Sequence, residues 1–302
     1  MVTQASQTVI IHRIGSSCLK SDSFDQNIRT ILENNKDSPK IIVISALPSI
    51  TDRLISLALE SERIMRWKHV NHIRYIYYMK ALDLLPKNQI ADFEGFLENN
   101  LASLYRAVQK FPIPYDEVVF QGEFLSAELI RRFLTSRFQN SLFIDAEMLI
   151  KVKTTTPDLT FDLDETSNRI HQSLVPRLKK PNIILIPGFY GTTSTQQIVL
   201  LGRNGSDITA AVIADALAEK FALQVIFWKD VDGIYTSDPR KDQNAKRIDQ
   251  LSHQNFLDQF KNFKSVIHPK TVEIAARKKI PLIIRNFETP TSRKQSVIKS
   301  QI

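Results

Sequence analysis

The sequence lacks the residues that build disulfides, zinc clusters and membrane spans. Cys18 is the single cysteine among 302 residues, so an internal disulfide is impossible, and no CxxC or HExxH spacing indicates a structural zinc site. No apolar run reaches the roughly 18 residues of a membrane-spanning helix. The amino-terminal segment lacks the basic and long apolar regions of a signal peptide. These absences predict a cytoplasmic protein without a membrane partner.

The composition is that of an ordinary globular protein. Apolar residues make up 43% of the chain and charged residues 24%. The length allows one large domain or two modest ones. A net charge of +8 suits either a nucleic-acid ligand or an enzyme that handles anionic nucleotides. We expect no nucleic-acid partner, because no known DNA- or RNA-binding module is present and the basic aromatic stretch His69–Tyr78 fits one face of a helix.

Short apolar runs alternate with helical patterns along most of the chain. Strands are predicted at Gln7–Arg13, Lys40–Ala46, Ser141–Ile144, Asn182–Pro187, Gln224–Trp228 and Pro281–Arg285. Helices are predicted between them, including Ser23–Asn35, Glu123–Phe138, Ser206–Phe221 and Pro269–Lys278. Apolar strands in this order are typical of a parallel sheet covered on both faces. The sequence therefore predicts a three-layer α/β/α sandwich with a mainly parallel central sheet.

Four further segments have weaker patterns. Val118–Phe120 is predicted to be a short strand, and Lys153–Asn168 a polar connection with little strand. Gln250–Lys261 is predicted to be a helix, and Pro290–Ile302 a loose basic tail.

Four loops directly follow predicted strands. They are Gly15–Ser17, Ser45–Thr51, Gly188–Gly191 and Lys229–Arg240. Ligands of open parallel sheets bind beyond the carboxyl ends of the strands. We therefore expect the functional residues to gather at one edge of the sheet.

The segment Gly202–Asp207 precedes an alanine-rich helix. Gly205 permits close approach of a ligand to the backbone, Ser206 is a good helix N-cap, and Arg203 offers a fork for a carboxylate or phosphate. Anions bind readily at a helix N-terminus. An ordinary capped turn with a solvated arginine explains the same residues equally well.

The loop Asp230–Arg240 combines carboxylates, hydroxyls and an arginine. Asp230 and Asp238 can meet a magnesium ion or a ribose, Tyr235 can stack, and Arg240 can reach phosphate. This composition suits a nucleotide, although a plain surface loop would tolerate it. With the preceding segment it favours phosphoryl transfer.

Seven segments in sequence order resemble the catalytic domain of aspartokinase, a member of the amino acid kinase family. They are Arg13–Ser17, Ser45–Asp52, Gly122–Ser126, Gly188–Gly191, Gly202–Asp207, Trp228–Arg240 and Val266–Pro269. Trp228–Arg240, for example, is similar to the family pattern Trp-Thr-Asp-Val-x-Gly-Ile-Tyr-x-x-Asp-Pro-Arg. The resemblance covers nearly the whole chain, and seven motifs in register are specific where each one alone is weak.

The resemblance implies an ATP- and Mg²⁺-dependent kinase that converts the side-chain carboxylate of aspartate, or a related amino acid, into an acyl phosphate. Residues 1–205 would form the amino-acid lobe and residues 206–302 the ATP lobe, with a homodimer as the family's usual assembly. No metal-ligating residue is assigned. In such a reaction catalysis consists of positioning and charge neutralisation.

The resemblance also implies roles for individual residues. Glu123 would pair with the substrate ammonium and Arg203 with its α-carboxylate, while Thr51 and Ser206 would help to hold the substrate. The catalytic residues would be Arg13, Gly15 and Asp207. The nucleotide would be bound by Ser16, Lys229, Asp230, Tyr235, Asp238, Arg240, Lys264 and Ser265.

This chain departs from the family pattern at charged and small positions. Arg13 replaces a lysine, Ser16 a glycine, Asn204 a glycine, Lys229 a threonine and Ser265 a lysine. Losing one pre-organised charge donor typically costs on the order of 10²–10³ in rate. These departures support an alternative interpretation, in which the chain is an aspartokinase homologue that binds nucleotide or a protein partner but does not catalyse the reaction. A uridylate kinase, from a sister family, is a third reading, and the motifs at Glu123 and Arg203 count against it.

Other features are assigned no chemistry. The sequence continues for 17 residues after Arg285, where aspartokinases usually continue into ACT domains, so the family's usual feedback control is not expected from this polypeptide. His268 is interpreted as a helix cap, His12 as a packing residue and Cys18 as a small buried residue.

Overall fold

The computed structural model describes residues 7–154, 159–260 and 265–300. Its strands are β1 (Thr8–Ile14), β2 (Lys40–Ile44), β3 (Ser141–Phe143), β4 (Val152–Thr154), β5 (Thr160–Phe161), β6 (Ile183–Pro187), β7 (Tyr190–Thr192), β8 (Ile198–Leu200), β9 (Ala222–Lys229), β10 (Ile234–Tyr235), β11 (Arg247–Ile248), β12 (Gln250–Ser252), β13 (Leu282–Asn286) and β14 (Gln295–Lys299).

The helices are α1 (Ser16–Leu19), α2 (Phe24–Glu33), α3 (Ile50–Leu59), α4 (Arg63–Leu84), α5 (Lys87–Ala107), α6 (Tyr115–Val119), α7 (Gln121–Arg137), α8 (Leu163–Leu174), α9 (Gly205–Leu217), α10 (His253–Phe260) and α11 (Pro269–Arg277). In the described ranges, no helix combines the length and the apolar character needed to cross a membrane.

A single large sheet organises the described residues. Its order is β12-β14-β13-β9-β1-β2-β6-β3. The strands from β13 to β3 are all parallel, and β14 joins β13 in the antiparallel direction. Every residue of β2 and β6 is buried, as expected for strands covered on both faces. The predicted, mainly parallel sheet is confirmed.

Helices cover both faces of this sheet. On one face α9 lies against β1, β9 and β2, with α8 and α11 beside it. On the other face Phe24 of α2 contacts Phe133 of α7, and Phe287 contacts both Phe24 and Trp228. The alternation of side chains along β1 separates the two faces, so that Arg13 points towards α9 and His12 towards the layer of α2. The fold is the predicted three-layer α/β/α sandwich.

One predicted strand is a helix, and one predicted connection contains regular secondary structure. Val118 and Val119 lie in the helix α6, because both side chains are buried and α6 lies against α3 and β8. Tertiary packing here overrides the β-propensity of valine. The region predicted as a polar connection contains a hairpin of β4 and β5 and the beginning of α8.

Two predictions near the carboxyl terminus also need correction. The segment predicted as one helix from Gln250 begins with β12, and α10 starts only at His253. The predicted loose tail contains β14, in which Ser296 and Ile298 are buried while their neighbours are more exposed. Pairing with β13 gives this polar segment its strand structure.

Candidate active site at the carboxyl edge of the sheet

The four predicted loops lie together in space. In the parallel registers, Ile14 lies beside Ile44 on one side and beside Trp228 on the other, and Ile44 lies beside Pro187. The strands β1, β2, β6 and β9 therefore end at one edge, and the residues that follow them are neighbours. The predicted clustering of the loops is confirmed.

Two cations flank one carboxylate at this edge. Asp207, in the first turn of α9, is fully buried. Its Oδ1 lies 2.5 Å from Nε of Arg13, and its Oδ2 lies 3.1 Å from Nζ of Lys229. Burial lowers the pKa of Lys229, and the Arg13 guanidinium lowers it further, while Asp207 raises it. Two cationic side chains thus share one carboxylate, and all three groups are largely buried.

Two serines tie this cluster to the neighbouring loops. Arg13 donates from Nη2 to the hydroxyl of Ser45 at 3.0 Å, and Ser45 donates to the hydroxyl of Ser206 at 3.1 Å. A Cβ on Gly188 would lie 2.7 Å from Cα of Ser206. The absence of a side chain at position 188 therefore lets β6 approach the start of α9 and fixes the position of Ser206.

Glu123 provides a second buried carboxylate beside the same loops. Its side chain lies in the first turn of α7, and only 4% of the residue is exposed. Burial raises its pKa to about 8, although the backbone N–H groups of Ala46 and of Glu123 itself oppose the shift. Its Oε2 has no hydrogen-bond partner among the described residues. A buried carboxylate with a free oxygen is suited to receive a cationic ligand group.

A hydrogen-bond network holds the loop that faces Glu123. The hydroxyl of Tyr77 donates to the carbonyl of Gly122 at 2.7 Å and lies 2.9 Å from the hydroxyl of Ser126. Ser126 in turn accepts from the backbone N–H of Leu47 at 2.8 Å. Sequence reasoning missed the role of Tyr77, whose only signal was its place in an aromatic helix.

Arg203 and Thr51 lie at the more open side of the edge. Arg203 is exposed, and it makes no hydrogen bond or ion pair with any residue in the described ranges. It precedes Asn204, which caps α9 with a positive φ of 57°. Asparagine tolerates this conformation, so the loss of the family glycine there does not disturb the backbone. Thr51 is half-buried in the first turn of α3.

The first loop is shaped around the side chain of Arg13. A Cβ on Gly15 would collide with Nη1 of Arg13, so glycine leaves the room that the guanidinium occupies. Ser16 is partly buried at the start of α1. Cys18 is buried and donates to the carbonyl of Trp228 at 3.2 Å, and burial raises the pKa of its thiol to about 11. It is a packing residue, as predicted.

The loop after β9 presents exposed charges beside the cluster. Arg240 lies 3.4 Å from a carboxylate oxygen of Asp230 and 3.2 Å from one of Asp238. Tyr235 is partly exposed in β10. Arg240 therefore pairs with both aspartates at the surface. Surface ion pairs of this kind are weak, so a nucleotide could take the place of either partner.

The remaining predicted nucleotide residues lie near the start of α11. Ser265 is partly buried, and its hydroxyl accepts from the backbone N–H of Ile267 at 3.5 Å. Lys264 lies outside the described residues. His268 caps α11 by accepting from the backbone N–H of Lys270, which confirms its predicted structural role. The described ranges contain no group of three acidic, histidine or cysteine side chains able to hold a metal ion.

Comparison with known proteins gives a consistent result. The model of the amino acid kinase family matches residues 8–286. Lysine-sensitive aspartokinase 3 of Escherichia coli is 29% identical over 287 residues, which cover 94% of this chain and 63% of that protein. The chloroplastic bifunctional aspartokinase/homoserine dehydrogenase 2 of Arabidopsis thaliana is 27% identical, over 92% of this chain and 31% of its own length. The chain thus spans from about a third to just under two thirds of these relatives.

Solved structures agree. Escherichia coli aspartokinase III, in complex with aspartate and ADP, superposes with a TM-score of 0.85 at 28% identity, covering 97% of this chain and 65% of that one. The UMP kinase from Ureaplasma parvum matches with a TM-score of 0.51 at 12% identity, over 98% of this chain and all of its own. The second likeness concerns the fold alone.

Proposed function

The chain belongs to the amino acid kinase family, and we propose that it is an ATP-dependent kinase that phosphorylates the side-chain carboxylate of aspartate or a related small amino acid. The observation that carries this proposal is the free, buried oxygen of Glu123 beside the pair of cations on Asp207. One edge of the sheet thus offers an acceptor for an ammonium group and a positive site for phosphate. The Escherichia coli relative of known structure was solved with aspartate and ADP.

Glu123 and Arg203 match the two charged ends of an amino acid. We assign the substrate ammonium to Glu123, because its Oε2 is buried without a partner in the described part of the chain. We assign the α-carboxylate to Arg203, which is exposed at the N-terminus of α9 and engages no other described side chain. Thr51 and Ser206 would add hydroxyl contacts between them.

Arg13 and Lys229 would neutralise the transferred phosphoryl group. An oxygen of the substrate carboxylate attacks the γ-phosphorus, and the bond from that phosphorus to the β,γ-bridging oxygen breaks, so that ADP leaves with the electron pair. An ionised carboxylate needs no general base, and the main requirement is fixed positive charge near the phosphoryl oxygens. Asp207 keeps the side chains of Arg13 and Lys229 in position, because it forms an ion pair with each of them.

We assign the nucleotide to the exposed loop after β9. The side chains of Asp230, Tyr235, Asp238 and Arg240 are available at the surface there, beside Lys229. Ser16, Ser265 and Lys264 remain proposed nucleotide contacts. Mg²⁺ is expected to arrive on the phosphate oxygens of ATP, because it usually keeps several waters and uses substrate phosphates as ligands. Residues 1–205 would then serve the amino acid and residues 206–302 the nucleotide, and a homodimer remains a prediction.

One observation favours an alternative, a homologue that binds nucleotide without turnover. Both Arg13 and Lys229 are engaged by Asp207, so a triphosphate must compete with a buried carboxylate for them. If Asp207 keeps both cations, the nucleotide would still bind through the exposed loop after β9, but its γ-phosphoryl group would not be transferred.

Trapping of the product with hydroxylamine separates these functions. Purified protein is incubated with MgATP, hydroxylamine and aspartate, with glutamate and UMP in parallel reactions. We expect a hydroxamate with aspartate, because hydroxylamine attacks acyl phosphates. Binding of ATP with neither hydroxamate from an amino acid nor UDP from UMP would support the silent homologue. Phosphorylation of UMP alone would support the uridylate kinase.

A further inference from the structure

A second cavity lies on the opposite face of the sheet from Asp207. It has a volume of about 430 Å³ and is enclosed by the carboxyl-terminal half of α2, the strands β1, β9 and β13, and the turn after β13. Its walls include His12, Trp228, Arg285, Thr30, Ile31 and Ile226. None of these residues has a role in the proposed kinase reaction.

The protonation of His12 follows from its hydrogen bond. The indole N–H of Trp228 donates to Nδ1 of His12 at 3.1 Å, so Nδ1 is an acceptor and the proton of the neutral ring is on Nε2. Burial lowers the pKa of His12 to about 3, with smaller contributions from Lys40 and Arg285. The ring is therefore neutral at ordinary pH. His12 is 3% exposed, and its Nε2 has no hydrogen-bond partner in the described ranges.

Arg285 contributes a second N–H group. Its Nη2 donates to the carbonyls of Pro290 and Ser292 at 2.8 and 2.6 Å, and its guanidinium carbon lies 5.1 Å from the centre of the Trp228 ring. These contacts fix the plane of the guanidinium. Its buried Nε likewise lacks a partner among the residues that the structure describes. His12 and Arg285 thus both belong to the cavity wall, and each carries a buried, unpaired N–H group on a side chain whose orientation is already set.

Unpaired buried donors require an acceptor. Leaving one unsatisfied costs about 1–3 kcal/mol, so native proteins usually pair such groups with a ligand or a water. The rest of the wall combines Ile10, Ile31 and Ile226 with the polar residues Asn34, Asn35 and Gln224, and Glu33 also belongs to the lining. A single cation and a nearby carboxylate disfavour a multiply charged anion such as phosphate and favour a singly charged one, whose apolar part can lie against the isoleucines.

We propose that this cavity binds a small monocarboxylate, whose oxygens accept from Nε2 of His12 and Nε of Arg285 and whose apolar part lies against Ile31 and Ile226. The site is independent of the kinase reaction, because it involves neither Asp207 nor Glu123. It is nevertheless next to that site along the chain, since His12 precedes Arg13 and Trp228 precedes Lys229.

Butyrate is a direct probe, and Trp228 is a built-in reporter. The chain has two tryptophans, and the other, Trp67, is 58% exposed, so Trp67→Phe in the full chain leaves Trp228 as the only source of indole fluorescence. We expect saturable butyrate binding, in roughly the millimolar range for so small a ligand, seen both in this fluorescence and by calorimetry of the unmodified protein.

Substitutions at Thr30 and Arg285 locate the binding. Thr30→Phe fills the cavity from the surface of α2 and leaves both donors intact, and Thr30→Val is the matched control of nearly the same shape. We expect Thr30→Phe and Arg285→Met to weaken butyrate binding by roughly tenfold or more, as the loss of a charge-assisted hydrogen bond would, and Thr30→Val to bind as the parent does.

Three outcomes would overturn the proposal. They are the absence of saturable butyrate binding, equal affinity in Thr30→Phe and Thr30→Val, and inorganic phosphate that competes with butyrate and binds more tightly than butyrate does. Thr30→Phe retains Arg285 and the turn that it anchors, so its result stands even if Arg285→Met fails to fold. Failure of the kinase assay would leave these measurements unchanged.

Discussion

Nζ of Lys229 lies 3.1 Å from the carboxylate of Asp207, whose other oxygen is held by Arg13. The three side chains come from the ends of β9 and β1 and from the first turn of α9. Aspartokinases, which this chain resembles, have a threonine where Lys229 stands and a lysine where Ser265 stands. In the proposed kinase site Lys229 would therefore supply a positive charge from a different position along the chain, held in place by Asp207.

The protonation of Glu123 makes stability depend on pH. Its pKa rises from the ordinary 4.5 to about 8 on folding, because its carboxyl group is buried. Between these values the folded protein binds more protons than the unfolded chain, so the free energy of unfolding falls as the pH rises. We predict that Glu123→Gln, which cannot titrate, gains roughly 3–4 kcal/mol relative to the parent between about pH 5 and pH 8 in urea unfolding. Parallel stability curves for the two proteins would contradict this, and the exposed Glu117→Gln is the control.

Binding of aspartate should release a proton. In the unoccupied protein Glu123 is mostly protonated at neutral pH, because its pKa is about 8. An ammonium group beside it favours the ionised form. We predict release of close to one proton per site near pH 7, measured by calorimetry in two buffers of different ionisation enthalpy. Glu123→Gln should bind aspartate more weakly and release none. An observed enthalpy independent of buffer would contradict the assignment of Glu123 to the ammonium.

Asp207 should be essential to stability as well as to turnover. Asp207→Asn removes the anion between two largely buried cations, which typically costs about 3–5 kcal/mol. Urea unfolding measures this cost. Asp249→Asn is the comparison, because Asp249 has a side chain that is 71% exposed and also pairs with an arginine, and surface pairs contribute little. Equal stability of the two variants would show that the cluster is not held as described.

Arg13 tests whether the first loop is impaired by its departure from the family pattern. Arg13→Lys restores the family residue and keeps the charge, but it loses the fork that joins Asp207 to Ser45. We predict about a tenfold lower rate of hydroxamate formation, with Arg29→Lys, a surface change, unaffected. A large gain in rate would instead show that the native arginine limits the reaction.

Much of the fold could be predicted because its central strands are continuous apolar runs. The segments that became β1, β2, β6 and β9 have this character, and the rule for parallel sheets placed their loops at one edge. The strand β14 was missed because its residues are mostly polar and only its pairing with β13 makes it a strand. The helix α6 was missed because Val118 and Val119 favour strands locally, whereas their burial is a tertiary effect.

The motifs predicted which residues lie at the candidate site, but they did not predict how the charged groups interact there. The motifs placed Arg13, Asp207 and Lys229 at one edge, but no spacing in the sequence shows that both cations engage the same carboxylate. The raised pKa of Glu123 likewise depends on burial by segments distant in sequence. No sequence pattern predicts the cavity at His12. The orientation of the imidazole there depends on a hydrogen bond from Trp228, which is distant in sequence.

Nucleotide binding by Lys229→Met tests most directly whether Lys229 and Arg13 form the phosphate site. Calorimetry with Mg²⁺ and a non-hydrolysable ATP analogue is compared among the parent protein, Lys229→Met and Lys278→Met, whose lysine pairs only with Glu219 at the surface among the described residues. We predict that Lys229→Met weakens binding by roughly tenfold to a hundredfold, as the loss of a charged hydrogen bond would, and that Lys278→Met binds as the parent does. Equal affinity in all three proteins, or no binding to the parent, would contradict the assignment.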